Sequence, residues 1–297
     1  MNVTQVLGNT WVLEAEELIP FYRLPDNRCI LLDSGLSEER EALEEALKRE
    51  NLTVAGILCS HAHGDHCGNN QYFQRQYQVP IALTAPEAGM CSSITALKCY
   101  FLVLSPGTVE RELSHMIHTP DVLIPARDGI FHFLEVPFEI VHTPGHSVGH
   151  IAVITPDHVC YTGDAMLSYE MLQAKLPHEL DHRTAEESRR KLKQLHCERY
   201  VMAHRGICDF EDMQRLIQAN QELMQCRTQE ILELITHPMT FSEMNERVCT
   251  HYQLFTKVPR RALRFERNIR FFLEYLLDQG RVQTECRNGT VLYSKTS

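Results

Sequence analysis

Residues 54–66 read Val54-Ala55-Gly56-Ile57-Leu58-Cys59-Ser60-His61-Ala62-His63-Gly64-Asp65-His66. The first seven form a short, β-prone apolar run. The rest puts three imidazoles and a carboxylate within six positions, a density that a polar turn with coincidental histidines seldom reaches. Imidazole nitrogens and carboxylate oxygens are ligands for zinc and related transition metals. Side chains two apart in an extended segment share one side, which groups His61 with His63. Asp65 and His66 turn the other way as the chain leaves the strand. The stretch suits two adjacent cations, and Gly64 is expected to relieve backbone crowding between the two pairs.

Outward from this point the same grammar recurs. Residues 29–33 (CILLD), 80–84 (PIALT), 138–142 (FEIVH), 151–155 (IAVIT), 158–162 (HVCYT) and 199–203 (RYVMA) are further short β-rich runs bounded by turn-forming residues. Helical stretches lie between them. Ser37 is the expected N-cap of one, with Leu43, Ala46 and Leu47 on its buried face. Thr184 is the expected N-cap of another over 184–196. Strands alternating with helices predict an α/β domain over 1–210, interrupted by a helical insertion at 87–120 that either caps a site or is an ordinary packed segment. Chemistry-bearing residues follow several strands: His142 and His146, then Asp164, then His204. The carboxyl edge of an α/β sheet is where active sites gather.

Beyond residue 210 the pattern becomes helical over 211–236 and 241–252. Pro259 suits the first turn of a third helix, in which Phe265, Ile269, Phe272 and Leu276 share a face. Asn288-Gly289 between two β-prone runs is a hairpin signal. Three helices and a hairpin predict a winged-helix-like unit at the end of a 211–297 extension.

The bulk properties narrow the function classes. The chain has 297 residues, 43% apolar and 23% charged, enough for a sizeable core. Net charge is −10; residues 226–297 carry 11 basic and 8 acidic residues, leaving 18 and 31 for the remainder. An acidic main body argues against broad phosphate-backbone binding as its principal task. The basic tail leaves room for an anionic ligand or nucleic acid. Arg260, Arg264, Arg267 and Arg270 form a stripe on the third helix, read as a solvated face paired with glutamates or as an anion-binding face. No apolar run is long enough to span a membrane. The opening residues lack a basic segment followed by an apolar one, and the 11 cysteines include no C-x-x-C, so a reduced cytoplasmic setting is expected. No Walker A or G-x-G-x-x-G occurs, which removes the nucleotide-cradle reading. Oligomeric state is left open.

His61-x-His63-x-Asp65-His66, Thr143-Pro144-Gly145-His146, Gly163-Asp164 and His204 resemble, in order and spacing, the ligand motifs of the metallo-β-lactamase superfamily over residues 8–208. The set is similar to that of the hydroxyacylglutathione hydrolase (glyoxalase II) type. The resemblance implies a four-layer αβ/βα sandwich and two divalent cations, with zinc expected and iron or manganese as alternatives. It assigns His61, His63 and His146 to one cation, Asp65, His66 and His204 to the other, and Asp164 to both. His142 and His150 match no ligand position and are expected to support the site. Asp33-Ser34-Gly35 resembles the family's early structural turn. The tail resembles a winged-helix extension of a group that includes an endoribonuclease-like member. Three positions depart from or refine the pattern. Arg205 puts a cation beside His204. Cys67 follows the main motif, either perturbing the second cation or lying buried. His63 separates the chain from di-iron electron-transfer members, which carry Glu there.

The implied chemistry is hydrolysis by a bridging hydroxide, with Asp65 as catalytic residue passing a proton to the leaving group. A small ester or thioester is the expected substrate. Phosphodiesterase or endoribonuclease activity, lactone opening, and a non-enzymatic winged-helix regulator are the alternatives.

Overall fold

A computed structural model describes residues 1–101 and 103–296. Leu102 in the expected insertion and Ser297 at the end of the expected tail unit lie outside the described residues.

The chain opens with an antiparallel meander, β1 (Asn2–Leu7), β2 (Thr10–Glu14), β3 (Leu18–Arg23) and β4 (Arg28–Leu32). After α1 (Arg40–Arg49) come β5 (Thr53–Leu58), α2 (Gly64–Cys67), α3 (Asn70–Tyr77), β6 (Ile81–Thr84), α4 (Ala85–Met90), α5 (Ile94–Tyr100), α6 (Pro106–Leu113) and β7 (Val122–Ile124). Strands β4 to β7 pair in parallel and complete a seven-stranded sheet in sequence order. A second, six-stranded sheet runs β8 (Gly129–Phe133), β9 (Val136–His142), β10 (Ile151–Ile154), β11 (Val159–Tyr161), β12 (Arg199–Met202) and β13 (Gly206–Cys208), with α7 (His182–Gln194) crossing between the parallel pair β11 and β12.

The two sheets face each other. Ile30, Leu32 and Leu58 from the first pack against Phe138, Ile140 and Tyr161 from the second. All six are buried, and each fully buried side chain of this size contributes roughly 1.5–3 kcal/mol. The outer face of the first sheet carries α1 and the 87–120 helices, while α7 and the start of α8 (Phe210–Glu233) cover the second. This is the expected four-layer αβ/βα sandwich.

Two helix starts differ from expectation. Ser37 caps nothing: a 3-10 turn at Ser37–Glu39 precedes α1, and its hydroxyl bonds the neighbouring Glu38. The cap of α7 is Asp181, whose carboxylate accepts from the backbone N–H and hydroxyl of Thr184. A carboxylate that satisfies both donors outcompetes a hydroxyl three residues later.

Helix α8 serves two cores. Met213, Leu216 and Ile217 pack on the second sheet, whereas Met224 and Ile231 join α9 (Phe241–His251), α10 (Pro259–Asp278) and the hairpin β14 (Val282–Arg287)–β15 (Thr290–Lys295). The hairpin turns through Asn288 and Gly289, both with positive φ as a type I′ turn requires. Ile269, Phe272 and Leu276 are buried as a single face of α10, with Phe265 half-buried at its edge.

Candidate metal centre

The loops at the carboxyl ends of β5, β9, β11 and β12 converge. Two backbone bonds tie the sheets together near that edge. Ile151 N–H donates to the Ser60 carbonyl (3.0 Å), and Leu18 N–H donates to that of Ala203 (2.7 Å).

The structure brings the seven candidate ligands into two neighbouring groups, His61, His63 and His146 in one and Asp65, His66, Asp164 and His204 in the other. In the first group His63 Nδ1 lies 2.9 Å from His61 Nε2 and 3.0 Å from His146 Nε2. Asp164 stands between the groups. Its Oδ2 is 3.3 Å from His146 Nε2 and 3.2 Å from His204 Nε2, and its Oδ1 is 3.5 Å from His66 Nε2. Asp65 Oδ2 is 3.9 Å from His66 Nε2 and 3.8 Å from His204 Nε2. Although His61 and His63 meet as expected, they do so in a loop, because β5 ends at Leu58.

The residues around these groups decide which nitrogen of each imidazole is free. The Ser60 hydroxyl donates to Asp33 Oδ2 (2.6 Å), so its oxygen accepts from His61 Nδ1–H (3.0 Å) and leaves Nε2 as a lone pair. The carbonyl of His178 can only accept, so His146 Nδ1 carries the proton (3.2 Å). Asp33 likewise fixes His66 by accepting from Nδ1–H (2.8 Å). His63 Nε2 pairs with the Tyr100 hydroxyl (2.6 Å), which turns Nδ1 inward. Ligand histidines held this way through their second nitrogen are the usual support of a metal site.

The donor set fits divalent cations. Lone pairs of His61, His63 and His146 point at one another within hydrogen-bond distance, a repulsive arrangement unless a cation lies among them. His66 Nε2 and Asp164 Oδ1 are buried without a hydrogen bond among the described residues. Burial and the neighbouring imidazoles push the proton affinity of His61 and His63 far down, keeping both as neutral donors. The second group is different. Burial opposes charge on His204, but Asp164 and Asp65 raise it to about 9. Burial also opposes charge on His66, and Asp164, Asp65 and Asp33 outweigh it. The carboxylates there demand positive charge, which a cation supplies in place of protons.

Two buried carboxylates pin the loops. Asp33 accepts from Ser60 N–H (2.7 Å), the Ser60 hydroxyl, the Tyr161 hydroxyl (2.6 Å) and His66. Glu87 accepts from Ala62 N–H (3.0 Å), the Ser147 hydroxyl (2.6 Å) and Gly149 N–H (2.6 Å), joining the His61–His63 loop to the His146 loop. The sequence reading singles out neither Glu87 nor Tyr100 nor His178. Glu87 follows β6 as Asp164 follows β11, so the strand-end rule extended to one more strand would find it. At Gly145, φ is +128° and an added Cβ would lie 2.3 Å from Ala185 N, so the His146 loop passes α7 with no room for a side chain.

Several expectations change. Gly64 relieves no backbone crowding: a Cβ there would meet two side chains, Met116 Sδ at 3.5 Å and His115 Nε2 at 3.9 Å, both ordinary contacts on a cleft wall. Arg205 turns away from His204 toward solvent, with Glu16 3.8 Å away. Cys67 is fully buried beside Cys59 and Cys91 and belongs to neither ligand group. Its partner Cys91 and its burial hold the thiol well above the usual range, so it is an ordinary buried thiol. His150 is supporting: Asp164 N–H donates to its Nε2 (3.1 Å) while Thr143 meets its Nδ1 (2.9 Å). His142 lies apart, its backbone N–H bonded to Asp128.

The candidate ligands open onto a cleft of about 740 Å³. The 87–120 insertion forms one wall through Phe101, Leu104 and Met116, and α10 forms another through Arg264, Phe265 and Arg267. Other residues of the insertion pack on the first sheet.

The sequence profile of the Metallo-beta-lactamase superfamily matches residues 4–204. This chain belongs to that superfamily. Among curated members, it is 24% identical over 147 residues to the probable metallo-hydrolase YqgX of Bacillus subtilis (strain 168), covering 49% of this chain and 64% of that one. It is 26% identical over 143 residues to the hydroxyacylglutathione hydrolase of Xanthomonas axonopodis pv. citri (strain 306), covering 48% and 44%. The chain thus spans less than two thirds of these relatives. The fold matches a metallo-beta-lactamase family protein from Thermus thermophilus with a TM-score of 0.73 at 20% identity, over 97% of this chain and 99% of the other. A beta-lactamase domain protein from Burkholderia ambifaria gives a TM-score of 0.74 at 16% identity, over 99% and 94%. The likeness therefore extends through the C-terminal helices, beyond the profile's last matched residue.

Proposed function

We propose that this superfamily member is a binuclear metal-dependent hydrolase of a small ester or thioester. The observation that carries this reading is the pair of ligand groups meeting at Asp164, with four of the five histidines fixed through their second nitrogen. His61, His63 and His146 would hold one divalent cation, Asp65, His66 and His204 the other, and Asp164 both. Zinc is our first choice, with iron or manganese accepted by the same donors. Bound cations of this kind supply Lewis acidity and lower the proton affinity of water.

The chain's own residues do the rest. Asp33, Ser60 and Tyr100 hold the imidazoles in the tautomers that face inward. Asp65 lines the cleft with one carboxylate oxygen 3.8–3.9 Å from His204 and His66, and its other oxygen would take a proton and pass it to the leaving group. The apolar wall of the 87–120 insertion seats the acyl part of a substrate and sheds water from around it. The relatives named hydroxyacylglutathione hydrolase support a thioester as the first substrate to try.

We read the end of α8, α9, α10 and the hairpin as a winged-helix-like unit. Four of its arginines, Arg260, Arg261, Arg264 and Arg267, line the metal cleft, which speaks for a role in this site rather than for a separate nucleic-acid surface. Eleven free thiols support a reducing, cytoplasmic setting, and no helix among the described residues is long and apolar enough to cross a membrane.

Metal analysis followed by a panel of thioester, ester, lactone, β-lactam, phosphodiester and RNA substrates tests the proposal. The expected result is bound metal and turnover of a thioester or ester that Asp65→Asn and His61→Ala abolish. Turnover of RNA or a lactone alone would reassign the substrate, and metal-free protein that stays inactive after zinc, iron or manganese addition would remove the hydrolase reading.

A further inference from the structure

We infer that α10 builds an oxyanion-binding subsite into the cleft wall, and that the substrate carries a carboxylate or phosphate close to the bond being cut. This rests on the hydrolase reading above and narrows its substrate class. The arginine stripe expected to be a solvated, Glu-paired face divides in two. Arg260 pairs with Glu112 (3.0 Å) and Arg270 with Glu266 (3.5 Å). Arg264 and Arg267 pair with no carboxylate among the described residues, and both line the cleft.

Arg267 is half-buried and lies against the shell of the metal ligands. Its guanidinium is 3.2 Å from His178 Nδ1. The His178 ring stands 5.1 Å from that of His146 and 5.7 Å from that of His63, centroid to centroid. The cation therefore sits one imidazole's width from the first ligand group. Its Nε is buried with no hydrogen bond, as is His178 Nε2 in the same wall. Burial and the neighbouring Arg264 both disfavour the charge on Arg267, while Tyr100 favours it.

An uncompensated, partly buried cation is costly, and the cost rises when more positive charge lies nearby. None of the acids that line the cleft pairs with Arg264 or Arg267: Glu112 meets Arg260, Glu38 meets the Ser37 hydroxyl, and Glu17, Asp65 and Asp164 face the ligand histidines. Adding two divalent cations makes this end of the cleft more positive still. An oxyanion resolves the imbalance, and the planar guanidinium fork suits a bidentate contact with it. The apolar surfaces of Phe101, Leu104, Met116 and Phe265 would take the rest of the molecule. The substrate so described is compact: an apolar acyl or aryl body with an oxyanion beside its scissile carbonyl. A long carrier with its charge far from the acyl group would leave Arg267 unsatisfied.

The test uses metal-loaded full-length protein and calorimetric binding of isosteric probes. These are 4-phenylbutyrate, 3-phenylpropylphosphonate and the neutral 4-phenylbutyramide. One or both anions should bind at least about tenfold more tightly than the amide, with the stronger of the two naming the preferred oxyanion. The preference should collapse in Arg264→Gln/Arg267→Gln and persist in Arg287→Gln on the distant hairpin. Melting temperature and metal content are read alongside. Should the double variant misfold, Arg264→Gln at an exposed position gives the same reading with a smaller loss. Equal binding of the three probes overturns the inference. So does an anion preference that survives loss of the arginines, because the anion is then held by the metals alone. Arginine-dependent anion binding without turnover of any ester or thioester would uphold the subsite and reject the proposed reaction. Turnover without anion preference would do the reverse.

Discussion

Replacing Asp33 with Asn isolates what a single buried carboxylate does for the metal centre. Asp33 has φ +70°, a left-handed conformation that Asn tolerates as well as Asp does. Size and backbone preference are therefore kept, and only the acceptor pattern changes. Asp33 Oδ1 accepts one N–H and Oδ2 accepts from a serine, a tyrosine and a histidine. An amide offers one acceptor oxygen and turns its NH2 toward a donor, whichever way it is flipped. At least one buried donor is left unsatisfied at about 1–3 kcal/mol, and the surviving bonds lose their charge assistance. The sum is roughly 3–5 kcal/mol, which at about 2–4 °C per kcal/mol lowers Tm by on the order of 6–20 °C. The second-group cation should also bind about 10–100-fold more weakly, since His66 loses the anion behind its Nδ1–H. Thermal denaturation followed by circular dichroism in excess chelator reads the first effect. Chelator competition in the folded protein reads the second. A Tm in chelator within about 2 °C of wild type would refute the hydrogen-bond account, since it corresponds to less than roughly 1 kcal/mol.

Other consequences follow from the same geometry. Gly145→Ala should cost about 2–4 kcal/mol and lower metal content together with Tm, because its Cβ would press on the α7 backbone at Ala185. A loss confined to activity would contradict that. Glu179 is buried, which alone would raise its pKa, yet Arg189 and His182 bring it from 4.5 to about 2. A depressed acid stabilises above its unfolded value, so this contribution should vanish as pH falls from about 4.5 toward 2. Urea midpoints across that range should drop more steeply for wild type than for Glu179→Gln. Cys67→Ser should lower Tm by several degrees through loss of apolar packing and leave metal stoichiometry unchanged, as read by elemental analysis. A changed stoichiometry would return Cys67 to the metal site.

The parts of the fold that are legible in the sequence are those with local causes. β5 and the ligand run after it announce themselves because a strand end, alternating side chains and ligand chemistry occupy one short window. The Asn288-Gly289 turn is legible for the same reason, as it needs positive φ twice in succession. The cap of α7 reads three residues late because Asp181 and Thr184 are both good caps, and only the folded geometry shows one bonding the other. Glu87, Tyr100 and His178 support ligands whose distance along the chain bears no relation to distance in space. No periodicity links Tyr100 to His63. The role expected of Gly64 fails because it rests on crowding within the loop, whereas its Cα faces the open cleft. The Arg stripe shows the limit most clearly. Its helical spacing is readable, but which of its members meet glutamates depends on α6 and on the metal cleft.

Helix α8 has a consequence beyond its place in the layers. Its first turns are part of the outer cover of the second sheet, and its last turns are part of the core around α9 and α10. Loss of the helix's first turns would uncover the second sheet, and loss of its last turns would uncover the tail core. Evolutionary change in substrate preference can then act through the tail, where replacing residues of α10 reshapes the cleft wall while the metal-bearing loops stay as they are.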